Sequence, residues 1–293
     1  MELGQSGINV GAISFGCWRY AGHDVAKANK LIRTALDAGM NLIDTADIYG
    51  LGDFPDSEDG GFGQAETRLG EVLAAAPSLR KQIILATKGG IDAVRPYDSS
   101  YTYLMSAIEA SLERLQTKYV DLYQIHRPDL TTPASETARA LNEIIAKGKA
   151  RAIGVSNFTI AQTRALQAHL DVPIATLQPE FSALEQSPIT EGILDYAQET
   201  GATVLAWSPL AGGRIPTESG PVQTALDEIA TRYGISRSVA ALAFTRGFGA
   251  SVIPIIGTQN PDRIRESGYA AQVNLTGRET YDVIESLRGE PMP

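Results

Sequence analysis

The chain has 293 residues, of which 43% are hydrophobic and 20% are charged, which is typical of a globular protein and excludes a disordered one. Its formal net charge of −9 argues against a dedicated nucleic-acid or anionic-membrane binder, which needs clustered Lys and Arg. No uncharged apolar run approaches the ~18 to 20 residues of a bilayer span, and the first residues lack a secretory signal pattern. The lone Cys17 can form neither an intrachain disulfide nor a cysteine metal site. We therefore expect a cytoplasmic protein that binds no nucleic acid and no membrane.

Short β-branched runs alternate with longer amphipathic segments along the whole chain. Eight apolar runs are predicted as strands, at residues 13–18, 41–44, 83–88, 120–126, 152–156, 174–178, 203–207 and 251–255. Helices are predicted between and after them, at residues 25–38, 65–76, 101–115, 136–146, 159–169, 188–200, 221–233 and 261–271. In the third of these helices, Leu104, Ile108 and Leu112 recur at helical spacing and share one face. Two more helices are predicted at residues 236–246 and 276–287.

This order of elements predicts the fold class. Short strands that are apolar on both faces, each followed by a helix, indicate a parallel sheet covered by helices. Eight such units predict an α/β protein with a closed (β/α)8 TIM barrel and two additional helices. An open doubly wound sheet is the alternative, and it is disfavoured because no G-x-G-x-x-G follows a predicted strand. No linker rich in Pro, Gly and Ser interrupts the pattern, so residues 1–293 are predicted to form one domain.

Polar side chains end most of the predicted strands. The active site of such a barrel lies at the C-terminal ends of its strands, where the loops converge. Asp44 ends the second strand, Lys88 the third and His126 the fourth, and Tyr49 follows Asp44 in the loop. Burying an unpaired Asp, Lys or His costs several kcal/mol, so groups that meet at one rim are expected to pair with each other. Later strands end at Ser156, Asn157, Gln178, Trp207 and Ser208.

Asp44, Tyr49, Lys88 and His126 form a candidate acid–base set. A nearby ammonium lowers the pKa of a tyrosine from about 10, and a carboxylate keeps that ammonium charged and in place. A histidine beside them can donate a hydrogen bond to a substrate oxygen. The set suits proton transfer to a carbonyl oxygen, and a reduction would need a cofactor to supply hydride. The structural alternatives are a rim ion pair for Asp44 and Lys88, a strand-end aromatic for Tyr49 and a loop-backbone partner for His126.

Six stretches of the chain resemble the aldo-keto reductase family, in the order of that family: GMNLIDTADIYG, ILATKGG, VDLYQIHRPD, KGKARAIGVSNF, VLAWSPLAGGR and VIPIIGTQNPDRIRES. They extend over nearly the whole chain and are most similar to a bacterial branch of small oxidoreductases. The resemblance implies a (β/α)8 barrel that reduces an aldehyde or ketone to an alcohol, with NADPH bound in extended form. It also implies that Tyr49 is the general acid, that Lys88 lowers its pKa, that Asp44 pairs with Lys88 and that His126 orients the carbonyl.

The same resemblance implies the residues that bind the cofactor. Near the nicotinamide they are Gly16, Cys17, Trp18, Ser156, Asn157, Gln178 and Trp207, the last as a stacking ring. The clasp around the pyrophosphate comprises Ser208, Leu210, Gly212 and Arg214, and the segment around the adenosine 2′-phosphate comprises Gly257, Thr258, Gln259, Arg263 and Ser267. Gln259 stands where the family often has Arg or Lys, and Ser267 where it often has Asn. One phosphate-pairing charge is therefore missing, and NADPH remains the expected cofactor.

The substrate pocket is expected beside Trp18, Arg19 and Tyr20, whose two aromatic rings favour an apolar or ring-bearing carbonyl compound. Two other functions stay open. The first is an NADP(H)-binding barrel that acts as a redox-sensing or interaction subunit with little turnover. The second is a Schiff-base enzyme that uses Lys88 as its nucleophile. No metal ligand set is recognised, the partner is expected to be a small carbonyl compound, and a monomer is expected. His23 has no partner in the pattern.

Overall fold

A computed structural model describes residues 1–53, 61–94 and 96–293, and within these ranges eight parallel strands close into a barrel. The strands are β1 (Ser14–Gly16), β2 (Leu42–Asp44), β3 (Ile84–Gly89), β4 (Val120–Ile125), β5 (Ala150–Ser156), β6 (Ile174–Gln178), β7 (Thr203–Ala206) and β8 (Val252–Ile256). Each strand pairs with its neighbours in the chain, and β8 pairs with β1 through the registers Ser14 to Ile255 and Phe15 to Ile256. The predicted (β/α)8 barrel is confirmed, and the open doubly wound sheet is excluded.

Helices surround this barrel in the described part of the chain. They are α1 (Val25–Asp37), α2 (Gln64–Ala75), α3 (Tyr101–Arg114), α4 (Ala134–Ala146), α5 (Ile160–Gln167), α6 (Ser187–Thr190), α7 (Ile193–Thr200), α8 (Arg214–Thr217), α9 (Pro221–Tyr233), α10 (Arg237–Arg246), α11 (Pro261–Gly268) and α12 (Gly277–Arg288). Side-chain caps fix several starts: Asp24, Ser100, Thr159 and Thr276 each accept a hydrogen bond from a backbone N–H of the first turn. The two additional helices are confirmed as α10 and α12. None of the described helices is long and apolar enough to cross a membrane.

Two predicted helices differ from the sequence pattern, one because it is divided and the other because it ends early. The predicted helix at residues 188–200 is divided into α6 and α7, because Gly192 between them has a left-handed φ of 79°. A glycine adopts this conformation readily because it has no Cβ. The predicted helix at 261–271 stops at Gly268 and continues as a 3₁₀ helix over Tyr269–Gln272. Most of the predicted loop at 51–63, including Asp56, Glu58 and Asp59, lies outside the described residues.

The two ends of the barrel differ in polarity. Leu3, Ile8 and Val10 of the N-terminal segment are buried against the apolar residues that line the inside of the barrel. An antiparallel bridge between Glu2 and Asn9 holds this segment together. Apolar packing therefore closes the N-terminal end of the barrel. The polar strand ends lie at the opposite end, where the candidate site is located.

Candidate active site

Lys88 is the centre of the candidate site. Its Nζ donates to Asp44 Oδ2 at 2.6 Å, to the carbonyl oxygen of Thr45 at 2.8 Å and to the hydroxyl of Tyr49 at 3.1 Å. All three donors of the ammonium are thus used, which a fully buried lysine requires. The ring of Tyr49 packs edge-on against the ring of His126, with 5.8 Å between the ring centres. The structure therefore brings the four predicted residues, Asp44, Tyr49, Lys88 and His126, into one cluster.

Buried amides inside the barrel hold the second oxygen of Asp44. Asp44 Oδ1 accepts from Gln178 Nε2 at 3.1 Å and from Gln124 Nε2 at 3.4 Å. Gln124 Oε1 in turn accepts from the hydroxyl of Thr176 at 3.0 Å. The sequence prediction included Gln178 but missed Gln124 and Thr176. Gln124 precedes His126 by two residues and so shares its face of β4, which is the signal that could have identified it.

Burial and the Lys88 charge compete in setting the pKa values of the site. Burial acts to lower the pKa of Lys88, but Asp44 and the Tyr49 hydroxyl outweigh it, so the Lys88 pKa is raised and its charge is favoured. Burial raises the pKa of Tyr49 above 10, and Lys88 offsets only part of this rise. The predicted lowering by Lys88 is therefore present, but burial has the larger effect. Burial together with Lys88 and Arg127 lowers the pKa of His126 well below 6.5, which leaves its ring neutral at pH 7.

Hydrogen bonds join four of the residues predicted near the nicotinamide: Ser156, Asn157, Gln178 and Trp207. Trp207 Nε1 donates to Asn157 Oδ1 at 3.0 Å, and Asn157 Nδ2 donates to Ser156 Oγ at 2.8 Å and to the carbonyl oxygen of His126 at 3.2 Å. Ser156 Oγ donates to the carbonyl oxygen of Gln178 at 2.9 Å. Asn157 has a left-handed φ of 60°, which asparagine tolerates better than most residues. These hydrogen bonds fix the half-buried Trp207 indole relative to His126.

The predicted pyrophosphate clasp lies directly after β7 and contains Ser208, Leu210, Gly212 and Arg214. Ser208 and Gly212 have left-handed φ values of 50° and 68°. Successive peptide groups in such turns can present their N–H donors to one side, which is an arrangement that binds phosphate. Arg214 is exposed and forms an ion pair with Glu218 at 3.1 Å.

The predicted 2′-phosphate segment follows β8 and contains Gly257, Thr258, Gln259, Arg263 and Ser267. The side chain of Asn260 caps α11 by accepting from the N–H groups of Asp262 and Arg263. Arg263 is exposed in the first turn of α11, whereas Ser267 is buried and donates to the Arg263 carbonyl oxygen at 2.8 Å. His23, which had no partner in the sequence pattern, donates from Nε2 to Gln259 Oε1 at 2.8 Å.

The residues after β1 divide between the surface and the core. Trp18 is 61% exposed, and the guanidinium of Arg19 lies 5.7 Å from the centre of its ring. Tyr20 is fully buried, packs edge-on against Phe15 and donates its hydroxyl to the carbonyl oxygen of Ala28. Tyr20 therefore does not line a pocket in this structure, contrary to the sequence prediction, because its ring and hydroxyl are both used inside the fold.

Gly16 and Cys17 are buried beside β2 and β8. The Cys17 N–H donates to the carbonyl oxygen of Asp44 at 2.8 Å, and burial raises the pKa of the Cys17 thiol far above its usual range. A Cβ on Gly16 would lie 3.0 Å from Ile255, so a glycine allows β1 and β8 to approach. Cys17 is fully buried as a whole residue, so neither its side chain nor its backbone is exposed to a cofactor in this structure.

Arg127 directly follows His126 and carries a positive charge beside the site, and the sequence prediction missed it. Its guanidinium lies 6.0 Å from the centre of the Trp207 ring. Within the described ranges Arg127 forms no ion pair. Burial and the Glu185 charge raise the pKa of the half-buried Glu180, and the Arg127 charge acts in the opposite direction. A half-buried guanidinium next to His126 is available to hydrogen-bond a substrate.

Comparisons with known proteins assign the chain to a family. Residues 12–288 match the model of the Aldo/keto reductase family. The chain is 47% identical to a 6-dehydroglucose reductase of Novosphingobium aromaticivorans, covering 100% of this chain and 96% of that protein. It is 35% identical to a protein of the same name from Agrobacterium fabrum, covering 96% and 95% of the two chains. The solved structure of a glycerol dehydrogenase from Gluconobacter oxydans aligns with a TM-score of 0.83 and 28% identity, covering 98% of this chain and 94% of that one. The chain belongs to the aldo-keto reductase family and is an oxidoreductase.

Proposed function

We propose that the protein reduces an aldehyde or ketone group of a small molecule with NADPH, and that Tyr49 donates the proton. The observation that carries this proposal is the contact between Lys88 Nζ and the Tyr49 hydroxyl at 3.1 Å, with Asp44 bound to the same ammonium. A buried ammonium next to a phenol stabilises the phenolate that remains when the phenol has given up its proton. The neutral ring of His126 lies against Tyr49 and can donate to the same substrate oxygen.

The proposed cofactor suits the donors near the site. Asn157 and Gln178 carry amide groups of the kind that recognises a carboxamide, and Trp207 offers a fixed aromatic face. The left-handed turn after β7 suits a pyrophosphate, and the N-terminus of α11 with the exposed Arg263 suits a phosphate monoester. When bound, NADPH supplies the hydride. The protein residues orient the carbonyl, supply its proton and stabilise the charge that develops on oxygen.

The order of proton movement follows from the contacts of Tyr49. As negative charge develops on the carbonyl oxygen, the Tyr49 hydroxyl gives its proton to that oxygen. The phenolate that remains is paired with the Lys88 ammonium, which Asp44 and the Thr45 carbonyl hold in place. Because these partners are already assembled, little reorganisation is needed during the reaction.

We propose a sugar aldehyde of the 6-dehydroglucose type as the substrate class. Two relatives, 47% and 35% identical, are named for that activity. The exposed aromatic face of Trp18 suits the C–H face of a sugar, and the Arg127 guanidinium suits its hydroxyl groups. The expectation of an apolar or ring-bearing substrate loses support, because Tyr20 is buried away from the surface.

The Schiff-base alternative requires Lys88 to act as a neutral amine nucleophile. Asp44 and Tyr49 instead raise the Lys88 pKa, and all three of its donors are occupied. The remaining alternative is a nucleotide-sensing subunit, which would bind NADPH and reduce little, so a turnover measurement distinguishes it from a reductase.

All the proposed groups come from one chain, so we also propose that the protein is a monomer, which sedimentation equilibrium tests.

Tyr49→Phe is the variant that tests the proton donor. We expect kcat for reduction to fall about 10²- to 10⁴-fold, because general acid catalysis contributes that much. The Kd of NADPH, measured by quenching of tryptophan fluorescence, should stay unchanged. Tyr281→Phe, which alters an exposed tyrosine of α12, is the matched control and should keep full activity. A Tyr49→Phe enzyme with most of its kcat would disprove the assignment, and wild-type protein that binds NADPH but reduces no carbonyl would favour the sensor.

A further inference from the structure

A second group of buried polar atoms lies behind Lys88, on the helix side of β3 and β4. Asp47 is 1% exposed and Tyr123 is fully buried. No described side chain hydrogen-bonds either carboxyl oxygen of Asp47, and the Tyr123 hydroxyl has no hydrogen-bond partner there either. Folded proteins rarely leave such groups unpaired, and an ordered water molecule is their usual partner where no protein group is available.

These atoms converge on the two glycines that follow Lys88. A Cβ on Gly89 would lie 2.1 Å from the Tyr123 hydroxyl and 3.4 Å from Asp47 Oδ2, so both atoms lie beside the Gly89 backbone. The Ser99 hydroxyl is also buried without a hydrogen-bond partner in the described ranges, and it lies 3.4 Å from the Cβ position of Gly90. The Asp47 carboxyl group and the Tyr123 hydroxyl, which meet beside Gly89, supply the minimum of two polar partners that a buried water molecule needs, and the Ser99 hydroxyl lies beside the next residue.

The neighbouring carboxylate of Glu66 is already satisfied. Its two oxygens accept hydrogen bonds from the Thr87 hydroxyl and from the Arg114 guanidinium. Burial, followed by the Glu66 charge, raises the pKa of Asp47 well above its ordinary value, although Arg114, the Ile48 N–H and Lys88 act in the opposite direction. A neutral carboxyl group can donate one hydrogen bond and accept others.

Asp47 also belongs to the loop that carries Tyr49. The Asp47 N–H donates to the carbonyl oxygen of Lys88 at 3.1 Å, while the Lys88 side chain binds the Thr45 carbonyl and the Tyr49 hydroxyl. Tyr123 lies in β4, the strand that pairs with β3 and leads to His126. A contact between Asp47 and Tyr123 would therefore connect the Tyr49 loop with the strand that carries the second ring of the site.

We propose that Asp47, Tyr123 and Ser99 bind ordered water beside Gly89 and Gly90, and that Asp47 acts through this water as a positioning residue for Tyr49. Asp47 contacts neither substrate nor cofactor in this proposal. Its carboxyl group fixes the loop that holds the Tyr49 hydroxyl at Lys88. The effect on turnover depends on the proposed role of Tyr49 as proton donor, whereas the water site does not.

A crystal structure of the wild-type protein, at a resolution that resolves internal water, tests the site directly. We expect a water molecule within hydrogen-bond distance of both an Asp47 carboxyl oxygen and the Tyr123 hydroxyl. A direct hydrogen bond between Asp47 and Tyr123 with no water between them would overturn the proposal. This measurement does not depend on activity. If the water is present but the protein reduces no carbonyl compound, the proposed function is refuted and the water site is not.

Substitutions at Asp47 test the positioning role. Asp47→Asn keeps a donor and an acceptor, and we expect its kcat to stay within about threefold of wild type. Asp47→Ala removes both and should lower kcat about 10- to 100-fold, because small misplacements of a reacting group have effects of that size. The Kd of NADPH should not change in either variant. Tyr123→Phe should lower kcat in the same direction as Asp47→Ala.

The control is Asp121→Asn, which alters another buried carboxylate, ion-paired with Arg80 and Arg151 at the opposite end of β4. We expect it to lower the unfolding temperature and to leave kcat unchanged. An Asp47→Ala enzyme that behaves like this control, with lower stability and normal kcat, would refute the positioning role. Failure of Asp47→Asn to restore the activity that Asp47→Ala loses would refute it as well.

Discussion

The Tyr49 hydroxyl is subject to two opposing influences within a few ångströms. Burial raises its pKa above 10, and the Lys88 ammonium at 3.1 Å acts to lower it. In the protein without ligands burial has the larger effect, so the phenol is protonated at neutral pH. This is the protonation state that a proton donor for carbonyl reduction requires.

The pH dependence of the reaction follows from these directions. In the proposed reaction Tyr49 donates the proton, so we expect kcat for reduction to stay level from pH 7 to 9 and to fall only as the pH passes 10. His126 does not titrate in this range, because its pKa is lowered well below 6.5. Oxidation of the alcohol needs the phenolate and should become faster with rising pH. Measuring kcat against pH in both directions tests this expectation.

Lys88→Met provides the control for that profile. It removes the charge that lowers the Tyr49 pKa. The remaining kcat for reduction should therefore begin to fall at a higher pH than that of the wild type. A wild-type reduction rate that falls with an apparent pKa near 7 would mean that another group donates the proton.

Among the secondary-structure elements, the strand ends were the most predictable part of the site. Asp44 and Lys88 follow apolar runs, and a parallel barrel brings the ends of neighbouring strands together. The closed barrel itself followed from eight apolar runs separated by helices. The roles of the site residues stay predictions, although the structure places Asp44, Tyr49, Lys88 and His126 in contact.

Other features could not be read from the sequence because they depend on tertiary contacts. Tyr20 follows an exposed Trp and Arg, yet the turn after β1 directs its hydroxyl to Ala28 in the next helix. His23 and Gln259 are far apart in the chain, and they meet only because β8 closes on β1. The break at Gly192 was missed because a single glycine inside a helical pattern is often tolerated.

The prediction about the preference for NADPH over NADH concerns helix α11. Arg263 lies exposed in its first turn, where the helix N-terminus and a guanidinium together favour a phosphate. Arg263→Ala should weaken NADPH binding by about 1.5 to 3 kcal/mol, the usual contribution of a hydrogen bond to a charged group. NADH binding should change little, since NADH lacks the 2′-phosphate. Fluorescence titration with both nucleotides measures the difference.

Arg265→Ala is the matched control on the same helix, because Arg265 is also exposed and pairs with Asp262. It should leave the Kd of both nucleotides unchanged. An equal loss of NADPH and NADH affinity in Arg263→Ala would show that this residue does not recognise the 2′-phosphate.

At the scale of the whole molecule, the barrel joins distant segments at one end and packs an apolar core at the other. The proposed cofactor residues come from the ends of β1, β5, β6, β7 and β8 and from α11. These segments adjoin strands that unfold only when the barrel opens, because β8 pairs with both β7 and β1. A ligand that binds them is therefore expected to stabilise the whole barrel rather than one loop.

This coupling predicts a cofactor-dependent melting temperature. A ligand that binds only the folded state adds about 2.7 kcal/mol at a concentration of 100 times its Kd. For a domain of this size, each kcal/mol raises Tm by roughly 2 to 4 °C, so saturating NADPH should raise Tm by about 5 to 10 °C. NADH at the same concentration should raise it less, and Arg263→Ala should reduce the NADPH shift to about that of NADH. Differential scanning calorimetry with and without each nucleotide measures these shifts. A Tm that neither nucleotide changes would contradict both the proposed cofactor and its assignment to these barrel ends.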